Sequence, residues 1–223
     1  CLVGEPTSPS QMGEMMKIGR RGSMNAEITA TGIQGHSAYP NRANNPIVAM
    51  VKLLDKLESH QLDVGTKHFD PSTLAITSVD TGNKASNVIP AVTKAAVNIR
   101  FNDSHSGSSL VSWLKDEIEK VSAEYGIKFE TDFKISGESF ITPPGELSDL
   151  ISKAVKQELG VTPKLSTTGG TSDARFIKEI CPVTEFGLVG KTMHAVDEKV
   201  ETKQINQLKE IYSRILEAYF EKA

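Results

Sequence analysis

No stretch of this 223-residue chain stays apolar for the roughly 20 positions that a membrane span requires, and the N-terminus lacks the basic-then-apolar layout of a secretion signal. The chain is therefore read as cytoplasmic, with no membrane partner. Cysteine is scarce. Cys1 and Cys181 are too few for a disulfide scaffold in a chain of this size and fit a reducing compartment, with Cys181 expected as a small buried hydrophobe. An excess of one charge sign is missing too: 25 Lys and Arg stand against 28 Asp and Glu, interspersed, so bulk electrostatics attracts neither nucleic acid nor an anionic membrane surface. HExxH, paired-cysteine, P-loop and GxSxG signatures are all absent, so no single motif declares an activity. The chain also opens without methionine, at CLVGEPTS, where Glu5 sits in a Gly-Glu-Pro turn with no element expected before it.

What is present is an ordinary globular composition, 38% hydrophobic and 24% charged, long enough for two small domains. Residues 24 to 33 alternate as a half-buried strand. Asn45 as N-cap and Pro46 at the first helical position open a helix of about 14 residues with Ile47, Met50, Val51, Leu54 and Leu57 at helical spacing. Strands are expected at 73–79 and 91–101, the second with Ala95, Val97, Ile99 and Phe101 on one face and Lys94, Asn98 and Arg100 on the other. A helix from Ser108 to Tyr125 stops at Gly126, and a strand follows at 127–135. The order β-α-β-β-α-β is the ferredoxin-like unit. Beyond Pro143-Pro144-Gly145, helices at 146–159 and 202–222 alternate with short strands around 164–166 and 181–187, an α/β pattern. Two strands are too few to close its sheet, so the sheet partners are expected outside the chain. The expected division is 1–20, 21–135 and 136–223.

Several residues could carry chemistry. Glu5 before a proline holds its carboxylate in extended or turn geometry, and His194 lies in the loop GKTMHAVDE; each could equally be a plain surface or hydrogen-bonded loop residue. One carboxylate and one imidazole do not complete a zinc site, which takes three protein ligands and an open position. His36 in GHSAYP is a loop histidine or a turn residue. In TTGGTSDARF, Ser172 or Asp173 could cap a helix whose free amides would suit an anion. Arg20, Arg21 and Arg100 favour an acidic ligand, since the guanidinium fork matches carboxylates.

The ordered set VGEP, GRRGS (19–23), GHSAYP (35–40), SNVIP (86–90), TTGGTSDARF (167–176) and MHAVDE (193–198) resembles the succinyl-diaminopimelate desuccinylase family, in the clan of dinuclear-zinc aminoacylases and carboxypeptidases. The resemblance implies a ferredoxin-like dimerisation domain inserted in an α/β zinc-peptidase-like catalytic domain, here without its N-terminal part, and a homodimer acting on a small acidic substrate. It also implies two Zn2+, or Co2+, with Glu5 and His194 each matching one metal ligand. By the same resemblance His36 reaches a partner's site to stabilise an oxyanion, and Arg20, Ser23, Tyr39, Asn87, Arg100, Gly170 and Thr171 match positions near the substrate. Ser86 and Gly190-Lys191 depart from the family pattern. The competing readings are an acetylornithine deacetylase or related aminoacylase, a dimerising or ligand-binding module without chemistry, and a serine hydrolase using Ser172, Asp173 and His194.

Overall fold

The computed structural model describes residues 1–221. In chain order the elements are β1 (Leu2–Val3), β2 (Met15–Lys17), β3 (Gly19–Arg20), β4 (Gly22–Thr31), β5 (Gly35–His36), α1 (Pro46–Ser59), β6 (Thr73–Asp80), β7 (Val88–Ile89), β8 (Val92–Phe101), α2 (Gly107–Tyr125), β9 (Lys128–Gly137), β10 (Phe140–Ile141), α3 (Glu146–Leu159), β11 (Lys164–Ser166), α4 (Ala174–Ile177), β12 (Thr184–Glu185) and α5 (Thr202–Phe220). The last helix was expected to reach 222, a position outside the described residues. Two compact units result: Gly22–Ser139, and Cys1–Arg21 together with the described residues from Phe140 onward. None of the described helices is long and apolar enough to cross a membrane.

In the unit Gly22–Ser139 an antiparallel sheet of order β6-β8-β4-β9 is built by period-2 patterning. Met24, Ala26, Ile28 and Ala30 of β4 alternate into the core with Ala95, Val97, Ile99 and Phe101 of β8. Ala49, Met50, Leu53 and Leu57 of α1 and Leu110, Leu114 and Val121 of α2 complete that core. The helix ends follow their local chemistry. Asn45 Oδ1 accepts from Ile47 N at 3.0 Å, Ser106 and Ser109 form a reciprocal cap, and Gly126 takes the left-handed conformation at φ 60°. The buried Asn102 amide and the Gly65 amide each donate to Asp63 Oδ1 at 2.7 Å, tying the loop after α1 to the end of β8. Strand β6 lies at the sheet edge and is exposed along nearly all its length, with Ile76 and Val79 at 38% and 54%.

In the second unit a strand does precede Glu5, contrary to expectation, and the expected strands β11 and β12 pair with the unforeseen β1 and β2 in a sheet of order β1-β12-β2-β11. Strands β1 and β2 are two and three residues long, too short for alternation to reveal, and they form because tertiary neighbours complete their ladders. Helices α3 and α5 cover this sheet through Met16, Ile18, Ile151, Val155, Phe186, Ile211 and Ile215. Cys181 is half-buried rather than enclosed, because it lies in the loop before β12, where packing is one-sided.

Leu53 is fully buried, so Leu53→Ala is expected to destabilise the unit Gly22–Ser139 by about 2–5 kcal/mol, the range for a buried leucine truncation. Urea unfolding monitored at Trp113, on α2 of the same unit, reads the change directly, and a loss below about 1 kcal/mol would contradict the packing described.

Candidate functional site

Within the unit Gly22–Ser139 two motifs far apart in sequence are joined by a short ladder. Strands β5 and β7 pair antiparallel, Gly35 opposite Ile89 and His36 opposite Val88, and Ser37 N donates to the Asn87 carbonyl at 3.0 Å. GHSAYP and SNVIP are thereby neighbours. His36 Nδ1 accepts from Ala38 N at 3.0 Å, so a neutral ring carries its hydrogen on Nε2, and the exposed side chain keeps an N–H donor. The Tyr39 ring lies 5.8 Å from that of His36, and the Arg42 guanidinium sits 5.1 Å over the Tyr39 ring.

On the sheet face opposite the core, Ser23 and Arg100 are direct cross-strand neighbours. Asn98 joins them, its Oδ1 accepting from Arg100 Nε at 3.2 Å and its Nδ2 donating to Asn25 Oδ1 at 2.8 Å. The fold thus brings the His36 and Tyr39 rings together beside the Asn87 backbone, and Ser23 beside Arg100.

In the other unit, β1 and β12 run parallel, Leu2 beside Thr184 and Val3 beside Glu185. Glu5 and the loop bearing His194 therefore leave from the carboxyl ends of paired strands, a usual place for a site in α/β sheets. The two segments stay laced: Ser8 N donates to Leu188 O at 3.4 Å and Gly190 N to Ser8 O at 2.9 Å. Gly187 packs directly on the Glu5 backbone, where a Cβ would collide with the Glu5 carbonyl oxygen. His194 is held at φ 63°, a left-handed conformation that costs free energy for a non-glycine residue. Its amide donates to Glu198 Oε2 at 3.2 Å, and the Thr192 hydroxyl crosses the loop to Lys199 O at 2.7 Å. Among the described residues no three His, Cys, Asp or Glu side chains converge as a complete metal shell.

The most buried charges of this unit were not anticipated. Lys17, Ser166 and Glu185 sit in one row across adjacent strands. Arg20 Nε donates to Glu185 Oε2 at 2.9 Å and Arg20 Nη2 pairs with the same carboxylate, while Arg20 Nη1 donates to the Thr168 carbonyl at 3.1 Å. Three of five guanidinium N–H groups are thus engaged, leaving two. Lys17 Nζ donates to Thr168 Oγ1 at 2.7 Å and Ser166 Oγ at 3.2 Å. Ser172 donates its hydroxyl to Glu185, so it caps no helix; α4 is a single turn, and Asp173 makes no capping bond either. Gly170 and Thr171 lie exposed between these fastenings. The one sequence signal for the network was Glu185 itself, a charge inside the apolar run CPVTEFG that burial obliges to find partners.

Residues 18–126 match the peptidase dimerisation domain family. Over 220 residues and 99% of its length the chain is 66% identical to succinyl-diaminopimelate desuccinylase of Ruegeria pomeroyi, and equally to those of Ruegeria sp. (strain TM1040) and Cereibacter sphaeroides (strain ATCC 17025). The chain is a homologue of the succinyl-diaminopimelate desuccinylases. It spans 58% of the length of these relatives. Among solved structures, the aminopeptidase PepT of Bacillus cereus superposes with a TM-score of 0.81 at 17% identity, covering 96% of this chain and 55% of that one. A Staphylococcus aureus tripeptidase gives 0.78 at 19%, covering 93% and 54%. These last two likenesses show the fold, a mixed α/β architecture.

Burial pushes the Lys17 ammonium from the usual 10.5 down to about 8, with repulsion from Arg20 adding to the shift and Glu185 opposing it. The unfolded chain therefore binds more protons than the folded one between these two values, and the Lys17 contribution to stability rises as pH climbs from about 8 to 10.5. Urea midpoints of the parent protein and Lys17→Met across that window should diverge in favour of the parent as pH rises; a constant difference would refute the shift.

Proposed function

We propose that this chain forms part of a cytoplasmic metal-dependent amidohydrolase that hydrolyses the amide of N-succinyl-LL-2,6-diaminopimelate to succinate and LL-diaminopimelate. The observation that carries this reading is 66% identity to desuccinylases along 99% of the chain, supported by the motif residues the fold groups together. Two Zn2+, or Co2+, are the proposed cofactors. The Glu5 carboxylate and the His194 imidazole are donors of the right chemistry, one for each ion, and the strand ends that bear them are laced together. The remaining ligands and the general base are proposed to belong to the part of the relatives' length that this chain does not span. When bound, the metal supplies Lewis acidity and a water of lowered pKa.

The chain's own residues are assigned as follows. His36, with its hydrogen on Nε2, donates to the developing oxyanion in the site of a partner subunit. Tyr39 and Asn87 line the same loop pair. Ser23 and Arg100 offer a hydroxyl and a guanidinium to a substrate carboxylate or amide, and Arg20, Gly170 and Thr171 contribute around a second carboxylate. Three carboxylates on the substrate suit these cations better than a neutral peptide would.

The proposed homodimer uses the exposed edge of β6 and the outer face of α1, where Val48 and Val51 are exposed at 46% and 54%. An unpaired strand edge flanked by exposed apolar side chains is a surface suited to a second copy across a two-fold axis.

Two measurements test the reading. In an enzyme spanning the relatives' full length, His36→Ala should lower turnover of succinyl-diaminopimelate by about a hundredfold or more, the scale of a lost oxyanion donor, while the chain described here, zinc-loaded, should release no succinate. Near-normal turnover of the variant, or faster hydrolysis of acetylornithine than of the succinyl substrate, would overturn the assignment. Val79→Lys, on the β6 edge, should shift the sedimenting species from dimer to monomer; an unchanged dimer would place the interface elsewhere.

A further inference from the structure

We propose that Lys17 and Glu185 are positioning residues, acting through Arg20 and Ser172 to hold the exposed turn Gly169-Gly170-Thr171 in one conformation for a carboxylate of the ligand. The assignment of Gly170 and Thr171 to the ligand rests on the proposed desuccinylase function; the fastening of the turn does not.

The turn is fastened on both flanks. Before it, Lys17 Nζ reaches Ser166 Oγ and Thr168 Oγ1, those two hydroxyls lie 2.9 Å apart, and Thr168 N donates to Ser166 Oγ at 3.1 Å. Arg20 Nη1 then takes the Thr168 carbonyl. After it, the Ser172 hydroxyl is held by Glu185, the carboxylate that orients Arg20. One buried acid therefore governs both ends of a three-residue turn.

The turn also rests on the guanidinium. Gly169 adopts φ +111°, and a Cβ there would collide with Arg20 Nη1, so only glycine lets the backbone pass this close. The charges beneath are two cations and one anion, with Lys17, Arg20 and Glu185 exposed at 7%, 8% and 1%. One positive charge is left over under an exposed turn, which favours an anionic ligand above it. Burying three ions for packing alone is poor economy, because apolar side chains of similar volume usually stabilise as well or better. The arrangement makes sense as a device that fixes a conformation.

The test uses the chain itself, with two variants. Ser172→Ala removes one fastening and leaves the Arg20–Glu185 pair intact, so it is expected to fold. Glu185→Gln removes the counter-charge. Backbone 15N order parameters for Gly169, Gly170 and Thr171 should be near about 0.85 in the parent and fall below about 0.6 in both variants, with Met16 and Val155 of the neighbouring core unchanged and Ser172→Thr restoring the parent values. Rigid turns in both variants, or an equal loss of order throughout the unit, would overturn the positioning role. Succinate, titrated as the probe, should bind Ser172→Ala, which leaves the buried charges unchanged, about tenfold more weakly than the parent, the scale of a lost hydrogen bond to a charged group. A loosened turn with equal succinate affinity in the parent and Ser172→Ala would overturn the ligand assignment of Gly170 and Thr171 while leaving the fastening in place.

Discussion

A carboxylate taken out of water costs several kcal/mol unless cations and hydrogen-bond donors surround it, and Glu185, 1% exposed, imposes that demand on its whole unit. Arg20 comes from a position 165 residues away to meet it, Ser172 from the glycine turn, and Lys17 from the strand alongside. Satisfying one ion brings the first 21 residues and the C-terminal segments into a common sheet. The same demand fixes where the TTGG turn runs, since the turn closes over the guanidinium that Glu185 orients.

In the unit Gly22–Ser139 the sheet and two helices are held by alternating apolar residues and well-capped helix ends, and the nearly enclosed Asp63 carboxylate pins one loop through Gly65, Ser72 and Asn102. Short ladders do the positioning there. Two paired residues of β5 and β7 place His36 against the SNVIP loop, and a single amide hydrogen bond to Nδ1 decides which ring nitrogen carries the proton. A histidine with a defined tautomer suits the donor role proposed for His36, since a preoriented N–H needs little reorganisation when charge develops nearby.

Much of this unit was legible in the sequence because each of its elements is long enough to carry its own signals. Asn45-Pro46 marked the start of α1, Gly126 the end of α2, and the faces of β8 separated Val97 and Ile99 from Asn98 and Arg100 as the pattern required. The other unit was read less well. Strands of two or three residues such as β1 and β2 are shorter than one period of alternation supports, so these two sheet members at the start of the chain went unread while β11 and β12 were foreseen. Ser172 and Asp173 had the composition of caps, but the stronger acceptor, Glu185, claimed the serine.

The sequence by itself determined which residues could do chemistry and, through their order and spacing, which family they resemble. It also determined the ferredoxin-like order of elements, since periodicity, caps and glycine stops are local properties of the chain. Only the tertiary structure decided that Arg20 spends three of its donors on Glu185 and Thr168, that Lys17 titrates near 8, and that Ser23 faces Arg100. Those facts depend on burial and cross-strand register, which arise from contacts between residues that are distant in sequence.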